Sequence, residues 1–368
     1  MKNKKLLIIT GEKSGLNAIL PSLTATKKRL LKNIRLVAPD YSQVPDEIRS
    51  NIFIPSHTGL TISSSLLIDY IRIFSEIIKY VRTNSFTDIL LVDNPDFNLI
   101  LASILYQQGC RLYYYIIPQV WAWREYRVKY LRKFFKKIFV IFPFEKEFLK
   151  KYGIESEFVG HPAYEECRNK RDTLNMRKTF GLNRNERIIS LFPGTRESVL
   201  SRHFSIFEDA ARLIAEKMKN FRVIISDIRR EHNHTKGKII YSPVNAINLL
   251  NISDFAVISS GSTTMEAAFL KKPFIGVYKP DILTYSAGKV LIKTESTVMP
   301  NILLNERFIP EIISPYLSKD EIVNTVINVA GDRLRLNIIR KKLSVVSSMF
   351  EGYRTSEIIR REIESVLK

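Results

Sequence analysis

Residues 255–277 read FAVISSGSTTMEAAFLKKPFIGV. The run Phe255–Ile258 is continuously apolar and short, as is Phe274–Val277, and a helical pattern lies between them. Two such runs joined by a helix make a βαβ unit, and strands without polar alternation are buried on both faces, as in a parallel sheet. The same pattern extends in both directions. Towards the N-terminus it gives strands at Ile188–Phe192, Val223–Ile225 and Lys238–Tyr241, and an earlier series at Lys5–Ile9, Ile34–Val37, Ile89–Val92, Leu112–Ile116 and Ile138–Ile141. The fold class is α/β, with two doubly wound, Rossmann-like domains. The polar, Gly-flanked stretch Gly160–Asn185 marks the boundary, giving domains at 1–170 and 171–349, and a last helix at about 350–368 is expected to pack back on the first domain.

At 368 residues, two domains fit the length. The formal charge is +20, and it is uneven: Arg111 to Lys151 holds eleven Lys/Arg against three Glu. A local excess of this kind suits an anionic partner, either nucleic acid or a membrane surface, or is simply a solvated basic helix. The two cysteines, Cys110 and Cys167, form no CxxC pair and no disulfide framework, which fits a reducing compartment. LLIIT near the N-terminus is too short for a signal peptide and reads as a buried strand. No apolar run reaches the ~18 residues that span a bilayer, so membrane contact is expected to be peripheral. The segment Ile62–Val81 is expected to be a helix apolar on most of its circumference, with Leu66, Leu67, Ile71, Phe74, Ile78 and Val81 on one face and Tyr70, Ile73, Ile77 and Tyr80 on another.

Ligands of doubly wound sheets bind outside the carboxyl ends of the strands, so the residues following each strand are the candidates. After the first strand, Gly11 and Gly15 allow a tight turn and Ser14 can cap the following helix; the stretch also reads as a plain strand-to-helix turn. Asp93 ends its strand at the crevice, a candidate general base or a turn residue, and Asp96 is expected to cap the next helix. In PGTR, Gly194 makes the turn, Thr195 offers a hydroxyl and Arg196 a planar fork for phosphate oxygens. Ser260, Gly261, Ser262, Thr263 and Thr264 form a small polar loop entering a helix, more than a cap requires, and suited to a phosphate. Glu266 in the first turn can accept from ribose hydroxyls or cap the helix. Pro300-Asn301 reads as a turn pair whose amide reaches the same site. His232 and His234 lack a third ligand at a recognised metal spacing and read as a polar loop.

Taken in order, GEKSG, VDNPDFN, PQVWAWREYRV, FPFEKEFLKKYGIESEFVGHP, LFPGTR, SSGSTTMEAA and MPNILLNERFIPEI resemble the lipid-A-disaccharide synthase family along nearly the whole chain. The resemblance implies the two-domain B-type glycosyltransferase fold (GT-B), two Rossmann-like halves facing across a cleft. It implies an inverting hexosyl transfer from UDP-2,3-diacylglucosamine to 2,3-diacylglucosamine 1-phosphate, giving a β(1→6) disaccharide phosphate and UDP. Carried onto this sequence, Asp93 takes the proton of the acceptor's 6-hydroxyl. Arg196 and Ser260–Thr264 hold the diphosphate with Gly194 and Thr195, Glu266 holds the ribose, and Asn301 orients the donor. Gly11, Glu12, Ser14 and Gly15 would contact substrate. No metal or other cofactor is implied.

Acylated substrates further imply a cytoplasmic enzyme peripherally bound to the inner face of the cytoplasmic membrane, with Arg127, Arg132, Lys133, Lys136 and Lys137 as docking residues. Trp121 and Trp123 are read as core or as interface. A homodimer is compatible with the sequence, and no nucleic-acid partner is expected, because no recognised binding motif accompanies the basic patch. Departures from the family pattern gather in the N-terminal half. Leu16 stands where Asp is usual, APDYSQVPDEIRSN replaces a glycine-rich stretch, a usual Glu is missing near Ile62, and Val199 replaces a Glu. They leave open a diverged enzyme of the same fold with another UDP-sugar or acceptor, and a catalytically silent binder. A basic nucleic-acid-binding protein is the alternative from a different class.

Overall fold

The computed structural model describes residues 4–54, 64–169, 172–183, 185–282, 285–286, 288 and 294–368, with side chains from residue 69 onward in the second segment. The chain divides into two compact units: Met1–Pro162 with Gly352–Lys368, and Ala163–Glu351. The division falls ahead of residue 170 because Tyr164 packs its ring edge against Phe269 at 5.2 Å and also meets Phe350.

The first unit is built on a sheet of β1 (Leu6–Thr10), β2 (Ile34–Ala38), β3 (Arg49–Phe53), β4 (Asp88–Val92), β5 (Arg111–Tyr115), β6 (Phe135–Val140) and β7 (Ser156–Phe158). Its order is β3-β2-β1-β4-β5-β6-β7, and every pairing is parallel. Strand order reverses between β1 and β4, which run side by side from Leu6 opposite Asp88 to Thr10 opposite Val92. Every residue of these two strands is buried, which is why they read as continuous apolar runs.

The last helix, Thr355–Leu367, belongs to this unit and packs on the helix Lys13–Thr24 and on β1. Ile359, Ile363 and Leu367 recur at helical spacing and are all buried, about 1.5–3 kcal/mol each in apolar burial. Gly160 lets the chain make this approach. Its φ is +85°, and a Cβ there would stand 2.6 Å from the Cβ of Tyr353.

The helix Ser64–Asn84 replaces the expected Ile62–Val81. Ile62, Leu66 and Leu67 lie outside the residues whose side chains are described. The two expected apolar faces merge into one: Ile73, Phe74, Ile77 and Val81 are buried, while Ile71 is 59% exposed. From residue 69 onward this is an ordinary amphipathic helix lying on the core.

The second unit repeats the architecture with β8 (Arg187–Phe192), β9 (Phe221–Ser226), β10 (His234–Lys236), β11 (Ile239–Ser242), β12 (Phe255–Ser259), β13 (Phe274–Tyr278) and β14 (Glu311–Ile313). The order is β10-β11-β9-β8-β12-β13-β14, parallel except for the β10–β11 pair at the edge. Here strand order reverses between β8 and β12. His234, expected in a loop, lies on the exposed edge strand β10.

Candidate functional site

In a doubly wound sheet the crevice opens at the carboxyl ends of the two strands flanking the reversal. In the first unit these are Thr10 of β1, followed by GEKSG, and Val92 of β4, followed by Asp93. Asp93 and Asn94 both adopt left-handed backbone, with φ +55° and +41°. A non-glycine residue in this region is costly and persists only where its surroundings fix it. Here they do. The Asp93 amide donates to the Tyr115 carbonyl at 2.9 Å, and its own carbonyl accepts from Asn98 Nδ2 at 2.6 Å and from the Tyr114 hydroxyl at 3.0 Å. Tyr114 is fully buried, and burial, followed by the nearby Asp93 charge, pushes its phenol well above the ordinary value. That keeps it a proton donor.

The helix after Asp93 is capped by Asn94, whose Oδ1 accepts from the Phe97 amide, and not by Asp96 as expected. The left-handed pair places Asn94 at the helix mouth and frees Asp96 for two guanidinium groups, Arg124 at 3.2 Å and Arg127. Gly11 and Gly15 are buried by this loop. A Cβ on Gly11 would meet Asn94 Nδ2 at 2.3 Å, and one on Gly15 would meet Asp93 Cβ at 3.2 Å. Their missing side chains admit the Asp93 loop, which explains both glycines without a bound substrate. Ser14 does not cap its helix. Glu12 occupies that position without a side-chain cap bond, and Ser14 Oγ instead donates to Asp93 Oδ2 at 2.7 Å.

In the second unit, PGTR follows β8 and the small-residue loop follows β12. The PGTR loop passes the carboxyl end of β12. Gly194, at φ +113°, would place a Cβ 2.7 Å from Val199 Cγ1 and 3.2 Å from Ser259 Oγ. Thr195 and Arg196 are exposed, and Arg196 is the N-cap of the 21-residue helix Glu197–Lys217. In the β12 loop, Gly261 and Ser262 are exposed and Ser260 and Thr263 half-buried. Thr264 departs from the expectation: it is buried, and its hydroxyl closes the turn on the Gly261 carbonyl at 2.8 Å.

Glu266 lies on the following helix, Thr263–Phe269. Burial, reinforced by the charge of Glu166, pushes its carboxyl up to about 7. Its Oε2 is buried with no hydrogen-bond partner among the described residues. A buried polar atom of this kind is expensive unless something satisfies it.

Asn301 corrects the sequence reading. It sits in the helix Met299–Leu304 and not in a turn, and it is buried. Its Nδ2 donates to the Ile309 carbonyl at 2.9 Å and to Glu311 Oε1 at 2.8 Å, while its Oδ1 accepts from the Ile309 amide at 3.0 Å. The amide is consumed in pinning this segment to β14.

The basic stretch divides likewise. Arg127 is tied to Asp96, and Lys137 bridges Glu157 at 2.8 Å and Glu362 at 2.9 Å, so neither is a docking residue. Arg132, Lys133 and Lys136 are exposed. Trp121 is core: its Nε1 donates to Glu145 Oε1 at 3.1 Å and its ring meets Phe144 edge-on. Burial pushes the Glu145 carboxyl up to about 7 despite that bond and two from the Ile141 and Phe142 amides. Trp123 is half-buried beneath the Arg124 guanidinium, 4.1 Å from the ring centre. Asn98 and Tyr114 were not singled out from the sequence. The one signal for Asn98 is a polar side chain three positions after Pro95, ahead of the apolar run Leu99–Ala102.

Residues 50–351 match the family model described as lipid-A-disaccharide synthetase. A lipid-A-disaccharide synthase 1 of Legionella pneumophila (strain Lens) is 31% identical over 329 residues, covering 84% of this chain and 83% of the relative. Among solved structures, UDP-GlcNAc 2-epimerase from Neisseria meningitidis bound to UDP-GlcNAc aligns with a TM-score of 0.66 at 13% identity, covering 98% of this chain and 100% of that one. The S. aureus MnaA–UDP co-structure aligns at 0.63 and 13%, covering 99% and 97%. These structural likenesses bear on fold alone and agree with the two parallel α/β sheets.

Proposed function

The chain belongs to the lipid-A-disaccharide synthetase family, and on that premise we propose that it transfers a 2,3-diacylglucosaminyl group from UDP to the 6-hydroxyl of 2,3-diacylglucosamine 1-phosphate. The observation that carries this reading is the fixed Asp93: a carboxylate at the carboxyl end of a central strand, on backbone held in a disfavoured conformation by three hydrogen bonds. Asp93 accepts the proton of the 6-hydroxyl as that oxygen attacks the anomeric carbon. The bond from that carbon to the diphosphate oxygen breaks, UDP leaves with the electron pair, and the anomeric configuration inverts.

The leaving diphosphate gains charge in the transition state. Arg196 offers two parallel N–H donors to it, and the first turn of the helix Glu197–Lys217 has backbone N–H groups without helical acceptors. Ser260, Gly261, Ser262 and Thr263 line the adjoining loop. Glu266, half-buried in the first turn of the helix that follows this loop, supplies the ribose contact in this reading. The UDP and UDP-GlcNAc bound to the two solved neighbours support a nucleotide of this class. The decisive assay combines purified protein with both acylated sugars and mass detection. The expected products are UDP and a disaccharide 1-phosphate in equal amounts. UDP release without disaccharide, or conversion of UDP-GlcNAc to its 2-epimer, would overturn the reading.

Substrates with acyl chains reside at a membrane, and no helix among the described residues is long and apolar enough to cross one. The docking surface in this reading combines Arg132, Lys133 and Lys136 with the exposed Ile100, Tyr106 and Tyr126 of the same unit. Ile100 and Tyr106 lie on the helix Pro95–Gln107 and Arg132 and Lys133 on the helix Val128–Phe134, joined through the Tyr106–Phe134 ring contact at 5.4 Å, while Tyr126 precedes the second helix and Lys136 follows it on β6. At roughly 1 kcal/mol per basic residue, neutralising all three is expected to lower co-sedimentation with anionic vesicles on the order of 100-fold at low salt. The difference should shrink as salt rises. An unchanged partition would remove the role.

A further inference from the structure

We infer that Ser14 is a positioning residue for the base: it aims the Asp93 carboxylate and does not bind substrate. The inference rests on Asp93 as the base of the proposed reaction. With the Asp93 backbone fixed by Tyr115, Asn98 and Tyr114, the only freedom left to the carboxylate is rotation of its own side chain. Ser14 removes it. An ionised carboxylate is acceptor-only, so in the 2.7 Å contact the hydroxyl donates to Oδ2. That proton is then committed and is not offered to a sugar.

The two alternative duties of a serine at this place are excluded by geometry. The helix Lys13–Thr24 is capped from Glu12, one position outside it, so Ser14 lies within the helix and is not its cap. Its hydroxyl spans 79 residues of sequence to reach Asp93, so the contact is not local turn chemistry. The approach is prepared by the next residue. Gly15 places no Cβ where one would crowd the Val92 carbonyl at 3.1 Å and Asp93 Cβ at 3.2 Å. Serine followed by glycine is therefore one device: the glycine brings the helix against the loop, and the serine locks one carboxylate oxygen. Oδ1 is left to face the acceptor's hydroxyl. A charge-assisted bond of this length holds direction as well as energy, and a base misaimed by about an ångström loses up to ~10²-fold in rate.

The test is steady-state kinetics of the full chain carrying Ser14→Ala, Ser14→Thr, Asp93→Ala and Ser14→Ala with Asp93→Ala, alongside their thermal midpoints. Ser14 is exposed and alanine is the better helix former, so Ser14→Ala folds, and the thermal midpoints check the other variants. Ser14→Ala is expected to lower kcat by about 10- to 100-fold, with KM for both sugars and the thermal midpoint unchanged. Ser14→Thr, which keeps the hydroxyl, should recover most of the loss. In the Asp93→Ala background the serine change should cost nothing further, because the group it aims is gone. Wild-type kcat in Ser14→Ala, or a loss confined to the acceptor's KM, would overturn the positioning role while Asp93→Ala keeps its own rate loss. Wild-type turnover in Asp93→Ala would instead remove the base itself.

Discussion

Asp93→Ala is expected to bind UDP within about twofold of the wild-type affinity and to form disaccharide about 10²- to 10⁴-fold more slowly, the usual range for loss of a general base. The two halves of this result have separate physical origins. UDP affinity is assigned to loops of the second unit, after β8 and β12, and Asp93 is in the first. The rate loss follows because a sugar hydroxyl is a poor nucleophile until its proton has somewhere to go. Folding is not at stake in the side chain. The bonds that fix its backbone use its amide and carbonyl, and alanine retains both, losing only the side-chain bond from Ser14. Alanine in left-handed backbone does add about 1 kcal/mol of strain, so a modest fall in thermal midpoint accompanies the variant. Titration calorimetry with UDP, beside single-turnover kinetics, separates the two effects. Turnover near wild type would take Asp93 out of the chemistry.

Arg196→Ala is expected to lower kcat by about 10²- to 10³-fold, the magnitude seen when a donor to a developing negative charge is lost. UDP affinity should fall with it, because the same guanidinium meets the diphosphate before and after the bond breaks. Arg196→Lys is the sharper variant. It restores the charge without the planar pair of donors, so it should recover affinity more fully than rate. Equal recovery of both would mean that Arg196 acts as a point charge alone. No loss in either variant would place the diphosphate elsewhere.

Most of this architecture is legible in the sequence, and the parts that are not share a physical cause. All ten strands expected from apolar runs are present. The four that were missed, β3, β7, β10 and β14, are the four sheet edges. An edge strand has a neighbour on one side only and carries polar residues towards solvent, as in Arg49-Ser50-Asn51 of β3, so it lacks the buried run that betrays a central strand.

The site follows the same rule. Asp93, Arg196 and Glu266 are visible because they follow strands in a fold whose ligands gather at strand ends. What their neighbours do depends on contacts distant in sequence. Asn301 is equally polar and equally placed beside a proline, yet Glu311 and Ile309 claim its amide. Arg127 and Lys137 sit in the basic ladder with Lys133, but carboxylates at positions 96, 157 and 362 neutralise them. Charge spacing along the chain does not reveal partners contributed by another segment. Trp121 reads as core or as interface until its indole N–H is found donating to the buried Glu145.

The central claim is a single displacement at the anomeric carbon, with Asp93 as the base. The anomeric configuration of the disaccharide 1-phosphate made by the wild-type chain, read from the proton coupling of its new linkage, tests this most directly. The account predicts a β linkage formed from the α-configured UDP donor. An α linkage would require two displacements or a different kind of intermediate, and would contradict it.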